Sequence, residues 1–136
     1  MRSPLEHLSS VVAEPADAKE FEGLEKSGLA RLKDAGNRTN SLESRFDLAY
    51  NAAHSLCLAA LRYHGFRAQN RYIVFQVLPH TLGLGPEVWR VLAKAHELRN
   101  LGEYEGDLDV DDRIVSDVIA ACRIIAVKLE ALPPLE

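Results

Sequence analysis

The chain is predicted to be all-α, an antiparallel helical bundle of four long helices plus a shorter helix. Three observations carry that prediction. Apolar residues recur at three- and four-residue spacing along most of the 136 residues. No segment alternates with period two for long enough to make a convincing strand. The apolar stretches are joined by short polar connections, the pattern of consecutive bundle helices.

Residues 1–15 are expected to be a flexible N-terminal segment, with one turn around Leu5 to Val12, and residues 16–136 a single domain. The first long helix runs from an N-cap at Asp17 to Ala35, stopped by Gly36 and Asn37, with Phe21, Leu24 and Leu32 on one apolar face. Ser41 caps the second, Leu42 to His64, which ends at Gly65 as a C-cap glycine. Its broad stripe of Phe46, Ala49, Tyr50, Ala53, Leu56, Cys57, Ala60 and Leu61 makes it central, with alanines small enough for neighbours to approach closely.

The shorter helix starts near Asn70, carries Tyr72, Phe75 and Leu78, and is bent or ended by Pro79, which lacks an amide donor. A loop, TLGLG, follows. Pro86 suits the first turn of the next long helix, which runs to Tyr104 with Val88, Val91, Leu92, Ala95 and Leu98 toward the core. After the acidic EGDLDVDD, the last helix begins beyond Asp111 and reaches Leu129 on Val115, Val118, Ile119, Cys122 and Ile125.

Composition narrows the function classes. With 47% hydrophobic and 26% charged residues the chain has the balance of a soluble globular domain, large enough for one core. A net charge of −4 argues against coating nucleic acid by bulk electrostatics and leaves only a local basic patch for phosphate. Cys57 and Cys122 both lie in apolar helical patterns, as small buried hydrophobes do in a reduced protein. No stretch has the length of a membrane helix or a signal peptide, so a cytoplasmic location is expected and no membrane partner.

The stretch AHELRNLGEYEG, residues 95–106, raises the chemical question. At about 100° per residue the line through Val88, Leu92 and Ala95 continues to Arg99, so a guanidinium takes the place of a core hydrophobe. His96 and Glu103 lie beside it and Asn100 further round. A guanidinium drawn inward needs a carboxylate, carbonyls or an anion such as phosphate. The central helix offers a polar edge, Asp47, Asn51 and His54 at i, i+4 and i+7, and an Asp47–Arg99 pair is one solution. The plainer reading is that Arg99 neutralises the negative end of its own helix.

Other motifs carry less. HELRN departs from the zinc-protease pattern because Asn100 stands at the second histidine, so no metal site is expected, and no cofactor motif is present. In LRYHGFRAQNRY, residues 61–72, Arg62, Arg67 and Arg71 interleave with Tyr63, His64, Phe66 and Tyr72. That mixture suits single-stranded RNA. It better suits a turn in which Arg62 and His64 complement the helix end while the rings pack beneath.

The order SRFDLAYNAAHSLCLAALRYHGFRAQN, a helix, AHELRNLGEYEG and a final amphipathic helix resembles the small prokaryotic HEPN domains (higher eukaryotes and prokaryotes nucleotide-binding), from about Leu29 to Leu132. The resemblance implies a helical bundle that forms a homodimer, RNA or nucleotide as ligand, and a toxin–antitoxin setting with a nucleotidyltransferase partner. The family's ribonuclease signature is an arginine, commonly followed by a polar residue, with a histidine a few residues later. Arg99 and Asn100 match its first part, while Tyr104 stands at the histidine's place and no histidine follows. The likeness is to the branch with Arg-Asn-x-x-Glu-Tyr, without the group that moves protons near neutral pH.

The resemblance therefore points to Arg99, Asn100 and Tyr104 as the site, with His96, Glu103, Asp47, Asn51 and His54 as ligand-binding neighbours. Two alternatives stand beside it: a metal-independent endoribonuclease using His96 or Tyr104, and a non-catalytic interaction module in which the polar cluster only pins helix packing.

Overall fold

The computed structural model describes residue 5, residues 8–105 and residues 110–135, with the backbone alone for residues 103–105. In chain order the elements are β1 (Val11–Ala13), α1 (Ala18–Ala35), α2 (Leu42–Tyr63), β2 (Phe66–Ala68), α3 (Ile73–Gln76), α4 (Leu78–Thr81), α5 (Pro86–Glu105) and α6 (Asp112–Glu130). The chain is mostly helical, with one small sheet.

Local chemistry sets the ends of the long helices. The Asp17 carboxylate accepts the Lys19 amide at 2.9 Å, the Ser41 hydroxyl accepts the Ser44 amide at 3.2 Å, and the Asp111 carboxylate accepts the Ile114 amide at 2.9 Å. Each satisfies a donor that the first helical turn leaves without a partner. Beyond α2 the chain reverses at Gly65, whose φ of +84° a side chain would strain.

Helix α2 is the hub, packing against α1, α3, α4, α5, α6 and β2. Its expected stripe from Phe46 to Leu61 is buried, as are Val88, Leu92 and Ala95 of α5 and Val115, Val118, Cys122, Ile125 and Leu129 of α6. The approach of α1 is close. A Cβ on Gly28 would lie 2.7 Å from Leu56 and 3.3 Å from the Ala52 carbonyl oxygen, so only glycine fits there without displacing Leu56. Both cysteines are free and buried, and burial pushes the Cys122 thiol up to about 12.

Three details differ from the sequence expectation. The helix expected from Asn70 is two single turns, α3 and α4, with Pro79 accommodated in the first turn of α4 where its missing amide costs nothing. Among the described residues two strands are present, each three residues long and so too short to show a period. They pair antiparallel with Val11 opposite Ala68, Val12 opposite Arg67 and Ala13 opposite Phe66. Residue 16 is consequently not where domain contacts begin, because residues 11–13 already belong to a sheet.

An ionic clamp explains why so short a sheet forms. The Arg62 side chain is only 2% exposed and donates to the carbonyl oxygens of Glu14 at 2.9 Å, Pro15 at 2.8 Å and Phe66 at 3.3 Å, and to the Glu20 carboxylate. Arg67 closes the network, donating to Glu14 at 2.7 Å and Glu20 at 2.8 Å. Its hydrogen bonds hold both carboxyls below the usual carboxylate range, aided at Glu20 by the bond from Arg62. The clamp ties the segment before α1 to the turn after α2.

Candidate functional site

The polar edges of α2 and α5 face each other. Arg99 Nε lies 3.7 Å from Asp47 Oδ1, and the guanidinium carbon sits 4.9 Å from the centroid of the Tyr50 ring. The arginine is partly buried, as its position on the core line of α5 requires, and its charge rests on a carboxylate and a π face. Asn51 donates to the Asp47 carbonyl at 2.8 Å and accepts from Arg71 at 3.3 Å.

A polar chain runs behind this pair. The Tyr50 hydroxyl is 2.8 Å from His96 Nδ1, and Asn100 Nδ2 is 3.1 Å from His96 Nε2. The Tyr50 hydroxyl and the Asn100 amide take complementary donor and acceptor roles on the two ring nitrogens, set by the tautomer. His96 is thus held at both ring nitrogens. Its ring packs 5.1 Å from Tyr72 and 6.2 Å from Phe75, centroid to centroid.

His54 completes the α2 edge. Its ring meets Phe75 edge-on at 6.5 Å, and its pKa is pushed down to about 4, by burial first and then by the charges of Arg71, Arg99 and His96. At neutral pH it is an uncharged donor and acceptor. Glu103 and Tyr104, the remaining members of the expected site, have side chains outside the described residues.

Beside these contacts lies an open groove of about 770 Å³, between the Asn70–Ile73 turn and α5. Arg71 and Tyr72 form one wall, and Arg90, Lys94, His96 and Asn100 the other. Among the described lining residues one carboxylate, Glu97, stands against three cations, so these residues are net positive together on a chain of net charge −4. The volume falls in the range of roughly 300–1,000 Å³ typical of small-molecule sites.

The structure therefore divides the expected residues. His96 and Asn100 line the groove, whereas Arg99 turns from it toward Asp47 and Tyr50, and Asn51 and His54 line a separate small pocket with Arg71. The lining also includes residues that the sequence reading did not assign to the site: Arg71, Tyr72, Arg90 and Lys94. Arg90, Lys94 and Glu97 stand at i, i+4 and i+7, a charged line beside the apolar face that helical periodicity could have revealed.

Of the other arginines in residues 61–72, Arg62 and Arg67 are consumed by the clamp. Their neighbours are structural as well: Tyr63 donates to the Pro133 carbonyl at 2.6 Å, and His64 Nε2 lies 2.7 Å from the Thr81 carbonyl oxygen. Among the described residues no group of three or more His, Cys, Asp or Glu side chains is placed to hold a metal ion. None of their helices is long and apolar enough to cross a membrane. Comparison with family models, curated proteins and solved structures gives no match to this chain.

Proposed function

We propose that the chain is a cytoplasmic HEPN-like antiparallel bundle that binds a nucleotide or RNA phosphate in the groove between the Asn70–Ile73 turn and α5. In this reading it is a homodimer, the HEPN component of a toxin–antitoxin or nucleotidyltransferase-associated system, without the standard HEPN ribonuclease activity. The observation that carries the proposal is the composition of the groove: three cations around an aromatic wall. Arg71, Arg90 and Lys94 supply charge for phosphate, Tyr72 a face for a base, and Asn100 an amide for hydrogen bonding. Arg99 acts as a positioning residue, through Tyr50 and His96, rather than as the phosphate ligand.

The absence of a downstream histidine argues against proton transfer of the family's kind. His96 is the one imidazole among the described residues of the groove wall, and both its nitrogens are already engaged. The ribonuclease alternative requires metal-free protein to cut RNA and His96→Ala to abolish the cutting.

The binding test is a titration of the folded protein with AMP and a single-stranded RNA hexamer. Lys94→Ala and Arg90→Ala are each expected to weaken binding about tenfold, the loss of one charge-assisted contact to phosphate. Undetectable binding by the parent, or binding indifferent to both substitutions, overturns the proposal.

A further inference from the structure

A second cavity adjoins the groove. It measures about 230 Å³ and lies between α1 and α2, lined by Ser27 and Arg31 of α1, Asn51, His54 and Ser55 of α2, and Arg71. Among the described residues no carboxylate lines it. Arg31 and Arg71 make no ion pair among the described residues, and both are exposed.

Most of the neutral polar groups are engaged locally. Ser55 donates to the Leu24 carbonyl at 2.8 Å, Asn51 is held by Arg71 and the Asp47 carbonyl, and Ser27 accepts from Arg31. The unspent hydrogen-bonding capacity is that of two guanidinium groups and one imidazole. A cavity with two cations and no counter-charge selects an anion.

Size and a shared wall define the anion. At about 230 Å³ the cavity is below the roughly 300 Å³ at which sites begin to hold a whole drug-sized ligand, so it takes a group rather than a nucleotide. Arg71 lines both this pocket and the groove, so one guanidinium stands where the two spaces meet.

We infer that the α1–α2 pocket is a phosphate subsite, and that the ligand of this protein is a phosphodiester strand whose consecutive phosphates lie on either side of Arg71. The inference rests on the groove reading and deepens it from a nucleotide to a strand. The nucleoside lies along Tyr72 in the groove, and the next phosphate sits between Arg31 and Arg71. The same chemistry serves an RNA or a DNA strand.

The experiment compares AMP, an RNA hexamer and the DNA hexamer of the same sequence by competition against a labelled RNA hexamer, with parent protein, Arg31→Ala and Arg31→Glu. Among the described residues Arg31 bonds only to Ser27, on its own helix, so its replacement leaves the core intact. Arg31→Ala is expected to weaken the hexamers about tenfold, leave AMP unchanged and lower the salt slope by about 0.7, the counterion release of one single-strand phosphate. Arg31→Glu should weaken them further. The RNA and DNA arms identify the strand.

Hexamer affinity and salt slope unchanged in both variants overturn the subsite while leaving the groove in place. A parent that binds AMP as tightly as either hexamer overturns the strand, and a poly-glutamate peptide competing as well as the RNA hexamer overturns phosphate recognition. A parent that binds none of the nucleic-acid probes overturns the groove and the subsite together.

Discussion

The clamp beneath the N-terminal strand and the groove beside α5 draw on the same short stretch, residues 61–72, and use its arginines in opposite ways. Arg62 is 2% exposed, and its donors go to three backbone carbonyls and a carboxylate. Arg71, at the other end, is exposed, holds one amide oxygen at 3.3 Å, and borders two cavities. A guanidinium whose donors are met inside the protein holds the chain together. One whose donors face a cavity is available to a ligand. Residue type and spacing are the same in both cases, so it is the surrounding backbone that separates the roles.

The comparison is broken most forcefully at Arg62. Replacing it with methionine strands the Glu14, Pro15 and Phe66 carbonyls and leaves Glu20 without its buried partner. Leaving one buried acceptor without its donor costs about 1–3 kcal/mol, and three are stranded together, so a loss of about 3 kcal/mol or more is expected, which urea denaturation should register directly. Arg71→Met should change stability by no more than about 0.5 kcal/mol, as surface substitutions do. Equal losses at both positions would erase the distinction between clamp and groove.

A smaller effect is written in the pH dependence of stability. His54 has its pKa pushed from 6.5 down to about 4, so between those values the unfolded chain binds a proton that the folded chain does not. Stability therefore falls as pH drops from 6.5 toward 4, by about 2 kcal/mol once partial solvent exposure is allowed for. His54→Gln should flatten that window. The clamp responds lower on the scale: Glu14 and Glu20 are depressed from 4.5, so their contribution is complete above that value and is lost as pH falls through their folded pKa values. Unfolding midpoints of parent and His54→Gln across pH 7 to 3 separate the two phases.

How much of this was legible in the sequence depended on the range of the forces involved. Asp17, Ser41 and Asp111 cap helices through contacts within three residues, so the starts of α1, α2 and α6 could be read directly. The line from Val88 to Arg99 follows from helical geometry, and Asp47 could be named as a partner because both residues stand on polar edges. The pairing of Val11–Ala13 with Phe66–Ala68 could not, because three-residue strands carry no periodic signal and Arg62 reaches across the chain to stabilise them. For the same reason the groove was only half seen. His96 and Asn100 were read from α5, but Arg71 and Tyr72 reach it through a turn whose direction depends on that sheet.

The Asp47–Arg99 pair sharpens the comparison from the side of the groove. It is partly exposed and 3.7 Å long, so its coupling should be well under that of the clamp, at about 0.5–1 kcal/mol including the Tyr50 ring. A double-mutant cycle of Asp47→Asn and Arg99→Met measures it. Coupling above about 3 kcal/mol would make Arg99 a second Arg62 and its role one of architecture.

The smallest effect on folding belongs to Lys94, and it is the one that best separates a ligand site from a structural one. Arg90 and Lys94 stand four residues apart on α5, both exposed, and like charges at that spacing destabilise a helix by about 0.2–0.5 kcal/mol. Glu97, one turn beyond Lys94, offsets part of that repulsion, and alanine is the better helix former. Lys94→Ala should consequently leave the unfolding midpoint unchanged or raise it slightly, while weakening the binding of AMP and of the RNA hexamer. A residue that stabilises nothing yet is needed for affinity serves the ligand. If the substitution instead lowers the midpoint and spares affinity, Lys94 is a packing residue, and the charge on the groove wall is incidental to binding.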